Sequence, residues 1–341
     1  MRPTAKVRRI ELPGGVSALS WKGDELFDMA AGEVTIHIGD GKLERRYSGY
    51  GRRFDRATAC PLGCHQAIYE CLGTKALLRR PSSDLEELDR SYYCADAYEF
   101  PLALFHRNGK ALVAHCPDSY SQLHLDDADT GDRLSKTDRG EARDFFHSRL
   151  EASQDGRYLL SAGWFWHPWE ALMVFDLDAA LADPKTLDGP GLAGDASWLP
   201  IAAEVAAATF CGDDCIAVAT KGAERLDDPD HEKASLGGGE LGLWSIAARE
   251  WVSRSSPGVQ LGTLMAVGKE HVLSLYEHPI LIEVATGSVI EEWPEIASGT
   301  QQGSLLLRED EARVPAMARD PLLNRVAIGD STGISVIQFH S

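Results

Sequence analysis

The stretch Arg149–Leu181 reads RLEASQDGRYLLSAGWFWHPWEALMVFDLDAAL, and its apolar runs and turn residues predict three strands in succession. The turn Gln154-Asp155-Gly156 joins the first two strands, because glycine takes the positive φ that other residues avoid. The predicted strands are Leu150–Ser153, Arg157–Ala162 and Ala171–Leu177, with a long insert, Gly163–Glu170, before the third. Three strands joined in this way form a meander. A single meander cannot bury both of its faces, so it requires neighbours of the same kind.

Degenerate copies of this unit follow one another along the chain. The turns of their first hairpins fall near residues 24, 63, 108, 155, 213, 268 and 322, and a spacing of roughly 40 to 60 residues is typical of propeller blades. The predicted blades are residues 15–50, 54–96, 100–140, 145–190, 201–257, 260–295 and 314–339. The irregular stretch Phe54–Asp96 leaves the count open between seven and six. Ala202–Ala208 is alanine-rich, but it leads into an apolar hairpin and is predicted as strand.

The two ends of the chain complete one ring in this prediction. The last repeat stops after a third strand, Gly333–Phe339, and the N-terminal segment Ala5–Leu12 has no partner of its own. Placing Ala5–Leu12 as the outer strand of the last blade joins the ends and covers an edge that would otherwise invite aggregation. The sequence therefore predicts an all-β fold, in which residues 1–341 form a single seven-bladed β-propeller domain of four-stranded antiparallel blades.

Two recurring features carry a resemblance to the WD-repeat β-propellers. The hairpin Ser153-x-Asp155-Gly156-x-x-Leu159 resembles the turn between the first two strands of a WD-repeat blade. The third-strand ends Phe175-Asp176-Leu177, Trp244-Ser245-Ile246 and Ile282-Glu283-Val284 align with the place where that family carries Trp-Asp. Neither Trp-Asp nor Gly-His occurs here, so the His–Ser/Thr–Asp–Trp tetrad of the family is missing or eroded. The resemblance implies the architecture and a loop-bearing face for partners, but propellers host many unrelated activities.

Composition and charge restrict the cellular location and the classes of partner that we expect. The chain has 341 residues, 44% hydrophobic and 25% charged, and carries a net charge of −18. No run approaches the roughly 20 apolar residues of a membrane helix, and the N-terminal MRPTAKVRRIELPGG lacks the apolar core of a signal peptide. An odd count of seven cysteines favours reduced thiols. We therefore expect a cytoplasmic protein, monomeric when free, that binds a basic protein and neither nucleic acid nor membranes.

The insert of the first quoted stretch supplies the main candidate site. Its partner-binding candidates are Trp164, Phe165, Trp166, His167 and Trp169. Aromatic side chains in a loop offer large contact area at low entropic cost, which is typical of interface hot spots. The alternative is that they pack back on their own blade or a neighbour.

The corresponding loop of the next blade, Lys221–Glu240, is long and acidic. Its candidate residues are Asp227, Asp228, Asp230 and Glu232. These carboxylates would attract a basic partner beside the tryptophans, although a solvated loop explains the composition as well.

The sequence contains no complete metal-binding or catalytic motif. Asp126–Asp132 alternates carboxylates but lacks the glutamate that completes an EF-hand, so a hairpin turn is sufficient. The pairs Cys60-x-x-x-Cys64 and Cys211-x-x-x-Cys215 are predicted as buried thiols, with a local disulfide or zinc as alternatives. Five histidines fall in one region, but strand alternation is expected to scatter them: His65, His106, His115, His124 and His147. No hydrolase or nucleotide-binding motif occurs, so no catalytic residue, metal or cofactor is predicted.

The sequence thus favours a non-enzymatic scaffold that binds a basic protein through its loop-bearing face, as an inhibitor or immunity-type protein. One alternative is a propeller-type metal-dependent hydrolase or lactonase with carboxylates around the axis. The other is a structural subunit of a larger assembly.

Overall fold

Seven antiparallel sheets make up the computed structural model, which describes residues 2–30, 34–45, 50–61, 63–82, 84–136, 139–166, 168–193, 199–222, 235–306 and 314–340. The sheets are numbered as blades 1 to 7 in chain order. The first strand of the chain, β1 (Thr4–Glu11), belongs to blade 7. Blade 1 contains β2 (Leu19–Lys22), β3 (Glu25–Asp28), β4 (Val34–His37) and β5 (Leu43–Arg45). Blade 2 contains β6 (Arg56–Ala59), β7 (Gln66–Tyr69), β8 (Lys75–Arg79) and β9 (Leu85–Asp89).

The remaining blades follow the same up-and-down order. Blade 3 contains β10 (Leu102–Arg107), β11 (Lys110–His115) and β12 (His124–Asp127), and blade 4 contains β13 (Leu150–Ala152), β14 (Tyr158–Phe165) and β15 (Trp169–Asp176). Blade 5 contains β16 (Val205–Phe210), β17 (Cys215–Thr220), β18 (Leu241–Ser245) and β19 (Glu250–Ser255). Blade 6 contains β20 (Thr263–Val267), β21 (His271–Tyr276), β22 (His278–Glu283) and β23 (Val289–Glu292). Blade 7 contains β24 (Met317–Asp320), β25 (Arg325–Gly329) and β26 (Gly333–His340), to which β1 is added.

The apolar core is divided among the interfaces between neighbouring blades, and these interfaces join the blades into a closed ring. Seven clusters of buried side chains each lie between two neighbouring blades, and one joins blade 7 to blade 1 through Ile10, Ile36 and Val336. First strands of neighbouring blades contact one another around the axis, as β2 does with β6 and β24 and as β16 does with β20. The seven-bladed β-propeller is therefore confirmed. The stretch Phe54–Asp96 holds the four strands of blade 2, so the count is seven.

Closure by the N-terminal strand is also confirmed. β1 pairs antiparallel with β26, from Thr4 opposite His340 to Glu11 opposite Gly333. The Arg9 guanidinium lies 2.7 Å from the Asp330 carboxylate, and this hydrogen bond holds the pKa of Asp330 well below its usual range. The outer strand of the last blade thus comes from the other end of the chain.

Two blades depart from the four-stranded pattern that holds in the other five. In blade 3 the described residues contain an isolated bridge between Asp126 and Arg133 in place of a fourth strand. In blade 4 the chain turns after β15 into α1 (Leu177–Ala182), and short 3-10 helices follow at Pro184–Leu187 and Gly191–Ala193. The Asp176 carboxylate caps α1 by accepting the first backbone N–H groups. No helix in the described ranges is long and apolar enough to cross a membrane.

The connections of such a meander alternate between the two faces of the ring. The hairpin face carries the turns between the first and second strands of each blade, such as Asn108-Gly109, and those between the third and fourth. The crossover face carries the turns between the second and third strands and the connections from one blade to the next, such as residues 90–101.

A buried histidine in blade 4 is arranged in a way that resembles part of the WD-repeat tetrad. His147 Nδ1 lies 3.1 Å from Ser161 Oγ, and the imidazole packs against Phe175, which stands in the aligned tryptophan position, with 5.8 Å between ring centroids. His147 is 2% exposed. Its burial is the main cause that lowers its pKa to about 3.

We expect this buried histidine to make stability depend on pH. The folded chain keeps His147 neutral, whereas the unfolded chain binds a proton near the ordinary pKa of 6.5, so stability falls as the pH drops below that value. From about pH 7.5 to about pH 5 the loss should be about 2 kcal/mol. Urea unfolding at the two pH values measures it. His147→Asn should flatten the dependence by that amount, and an unchanged slope would contradict the assignment.

Candidate partner-binding face

The predicted insert Gly163–Glu170 is wrong in its length, because the two strands continue into it. Trp164 pairs with Glu170, and Phe165 pairs with Trp169, so three residues connect β14 to β15. Gly163 makes this possible: a Cβ there would lie 2.0 Å from the carbonyl oxygen of Phe146. Without a side chain, the strand can pass close to the chain that enters blade 4.

Trp164 is a structural residue. It is 3% exposed, and its indole stacks on the ring of Phe146, with centroids 3.8 Å apart and planes 9° apart. The two residues also exchange backbone hydrogen bonds of 2.7 and 3.2 Å. For this tryptophan, packing against its own propeller is the observed role.

Trp166 lies at the surface above that stack. It is 49% exposed, and its ring lies 5.9 Å from Phe146 and 6.3 Å from Tyr93, which is 50% exposed. The Tyr120 ring also stacks on Phe146, with the ring centroids 3.9 Å apart. Tyr92, the sequence neighbour of Tyr93, is 84% exposed. We name the aromatic patch as Tyr92, Tyr93, Tyr120 and Trp166, supported by Phe146 and Trp164. Three connections of the crossover face and the β14–β15 turn converge there.

Carboxylates border the aromatic patch. The Tyr120 hydroxyl donates to Asp144 Oδ1 over 2.9 Å, and burial followed by this hydrogen bond raises the pKa of Tyr120 to about 12. Asp144 is exposed, as is Asp96 in the connection that carries Tyr93. The patch therefore combines flat aromatic faces with negative charge.

The other predicted residues are placed as follows. Phe165 and Trp169 are half-buried and pack against the apolar cluster between blades 3 and 4. They also border a cleft of about 670 Å³ that reaches Leu199 and Trp244 of the next blade. His167, Asp227, Asp228, Asp230 and Glu232 lie outside the described residues, so their roles stay predictions.

A strap, Ser298–Leu306, fixes the connection beneath the patch. It leaves blade 6 and crosses the ring, where Gly303 N–H donates to Ala206 O over 2.7 Å. The Glu170 carboxylate accepts hydrogen bonds from the backbone N–H groups of Ser304 and Leu305 over 2.8 and 2.9 Å. Burial raises the pKa of Glu170. Leu305 then forms a bridge with Tyr98, at the base of the aromatic stack. Backbone contacts of the strap thus hold the base of the aromatic patch in place.

Beneath the strap the axis is filled by a buried arginine. Arg149, at φ +43°, donates to the carbonyls of Ala206 and Gly303 over 3.1 Å each and to Thr263 Oγ1 over 2.8 Å. Its guanidinium lies 3.9 Å from the Glu99 carboxylate, and burial lowers its pKa. The cavity left at the axis has about 150 Å³.

The carboxylates near the axis form hydrogen bonds and an ion pair with other side chains of the propeller. Glu99 accepts from Gln301 over 3.0 Å, and Glu151 accepts from Thr209 and lies 3.5 Å from Arg319. In the part of the chain that the structure describes, no cluster of three metal-ligating groups lies at the axis. The enzyme alternative expects carboxylates around the axis, and Glu99 and Glu151 are carboxylates in that position.

Comparison with known proteins identifies the architecture. No protein-family model matches the sequence, and no curated protein matches it. The structure is similar to a chain in the crystal structure of a mitotic checkpoint complex, with a TM-score of 0.61 and 11% identity, over 98% of this chain and 91% of that chain. At this identity the likeness shows the fold alone, that of a WD-repeat-like β-propeller. The function must be argued from the site.

Proposed function

We propose that this protein is a non-enzymatic scaffold that binds a partner protein through the aromatic patch. One observation carries the proposal. Tyr93 and Trp166 come from two separate connections, yet their half-exposed rings lie 6.3 Å apart, and both contact the buried Phe146. Exposed rings of this kind lower solubility unless a partner covers them, and clustered aromatic side chains dominate the binding energy at interfaces.

The chemistry of the patch selects a basic partner. Asp96 and Asp144 lie at its border, and the whole chain carries a charge of −18, which speeds the approach of a cationic protein. Guanidinium groups stack on indole and phenol faces while pairing with carboxylates. The expected partner therefore presents arginine side chains to Trp166 and Tyr93.

This charge argument extends to a role. An acidic propeller that covers a basic enzyme would act as its inhibitor, as an immunity-type protein does for a toxin. Adding the chain to the purified partner should then lower the partner's activity. The cytoplasmic location and the monomeric free state stay predictions. So do the structural-subunit and hydrolase alternatives, which native size measurement and hydrolysis assays address.

The binding test compares two variants. The double variant Trp166→Ala/Tyr93→Ala should bind the captured partner roughly thirtyfold more weakly or worse, because each ring is a candidate hot spot. Leu323→Ala removes a side chain of similar exposure, 44%, from the hairpin face and should bind normally. Capture from native extract at low and moderate salt identifies the partner, and titration gives the affinities.

A defined probe separates the two parts of the proposal. An arginine-rich peptide should quench tryptophan fluorescence of the protein and of Leu323→Ala, and a glutamate-rich peptide of equal length should not. Binding that survives the double variant would refute the patch. Equal binding of both peptides would refute the charge preference while leaving the patch.

A further inference from the structure

Four metal-ligating side chains converge on the hairpin face, at the junction of blades 2 and 3. Cys60 follows β6, Cys64 and His65 precede β7, and His106 comes from β10 of the next blade. The two sulfurs and one nitrogen from each imidazole all lie within 4.8 Å of one another. Cys60 Sγ is 3.0 Å from Cys64 Sγ, which is 3.4 Å from His106 Nε2.

The donor set fits one metal best. Two thiolates and two imidazoles are the ligands of closed tetrahedral zinc sites. Zinc–ligand bonds of normal length place such donor atoms roughly 3.3 to 3.8 Å apart. The observed separations bracket this range, so small side-chain movements complete the site.

His65 supplies an independent observation. Its side chain is 3% exposed, and Nδ1 is buried without a hydrogen-bond partner among the described residues. An unpaired buried nitrogen is unfavourable. Nε2 lies 2.9 Å from the carboxylate of Asp129, an arrangement that orients histidine ligands and increases their basicity in metal sites. Nδ1 is therefore the nitrogen left to bind an ion.

A disulfide between Cys60 and Cys64 explains less. It would account for the short distance between the sulfurs. It would leave the convergence of His65 and His106, and the unpaired Nδ1, without a reason. The second pair of the same spacing, Cys211 and Cys215, is joined by a backbone hydrogen bond, and no histidine groups with it among the described residues.

We propose that Cys60, Cys64, His65 and His106 bind one zinc ion, which fastens blade 2 to blade 3. Binding releases the two thiol protons, so the ion and two thiolates form a neutral site. The four protein ligands close the coordination sphere, which makes the site structural. The clamp lies at the β6–β7 turn and at β10, the first strand of blade 3, on the face opposite the aromatic patch. It is independent of the partner proposal.

The experiment uses full-length protein freed of metal under reducing conditions. Competition with a chromophoric chelator should show one tight zinc ion per chain, and zinc should raise the melting temperature. Cobalt should give the intense visible bands of tetrahedral coordination and a thiolate-to-cobalt charge-transfer band. Absence of tight binding, or a thiolate-free octahedral cobalt spectrum, would overturn the proposal.

Variants test the ligands. Cys64→Ser and His106→Ala are half-buried positions, and each should lower zinc affinity at least a hundredfold and abolish the thermal shift. Asp129→Asn should lower the affinity about tenfold, because it only positions His65. The matched control Cys215→Ser should bind zinc normally. An equal loss in Cys215→Ser, or a Cys60–Cys64 disulfide in protein purified without oxygen, would also overturn the site.

Discussion

Deletion of Met1–Leu12 should destabilise the whole ring and not one end of it. The deletion removes β1, which pairs with β26 over its full length, and the Arg9 contacts to Asp330. It also removes Ile10 and Leu12, which are 4% and 3% exposed between blades 7 and 1. Burial of each such side chain contributes about 1.5 to 3 kcal/mol. Together with the lost strand pairing, we expect at least about 5 kcal/mol, close to the entire stability of many domains.

The measurement is urea unfolding followed by circular dichroism and tryptophan fluorescence. Both probes should shift together, because the ring unfolds as one unit. Removing only Met1 and Arg2, which leaves the buried Pro3 and all of β1 in place, is the control and should change little. A peptide of residues 1–12 added in excess should restore part of the lost stability. If the deletion protein melts like the full chain, the closure has no energetic role.

The second large effect is expected at the axis. Arg149→Met keeps much of the side-chain volume but removes the donors to Ala206, Gly303 and Thr263. It also removes the guanidinium that lies 3.9 Å from the Glu99 carboxylate. Removing one member of a buried charge pair costs about 3 to 5 kcal/mol. The loss should loosen the strap, because Gly303 belongs to it.

Arg157→Met is the matched control for this variant. Arg157 is an exposed arginine in the same blade, 3.3 Å from Asp176, with 47% of its side chain exposed. Exposed ion pairs contribute little, so its unfolding midpoint should stay within error of the parent. Hydrogen exchange should show faster exchange in Ser298–Leu306 for Arg149→Met alone. Equal unfolding midpoints for the two variants would show that the contacts of Arg149 do not stabilise the ring.

Local patterns were sufficient to predict the architecture. Turn residues with left-handed backbone, such as Gly156 and Asn108-Gly109, mark the first hairpins at the positions where the structure has them. The unmatched N-terminal strand predicted the closure, because a propeller requires a full outer edge. The helix α1 was missed, since six residues after a strand give no helical periodicity.

The candidate sites were only partly predictable. Trp166 was placed at the surface, but Trp164 is buried because its stacking partner, Phe146, belongs to another connection. Tyr92 and Tyr93 were overlooked, although two adjacent tyrosines in an irregular stretch were a usable signal. His106 meets Cys64 only because two blades pack side by side. A histidine on a strand carries no local sign of such a neighbour, so the expectation of scattered histidines was wrong for His65 and His106.

The strand that closes the ring has a mechanical consequence. Thr4 lies opposite His340, so the first strand begins at the point where the last strand ends. Tension applied between these two residues would act on the terminal hydrogen bonds first and break them one after another, as in a zipper. Strands that slide past each other would instead share the load among all their hydrogen bonds. The ring can therefore open under a small pulling force, provided that the force acts between its own ends.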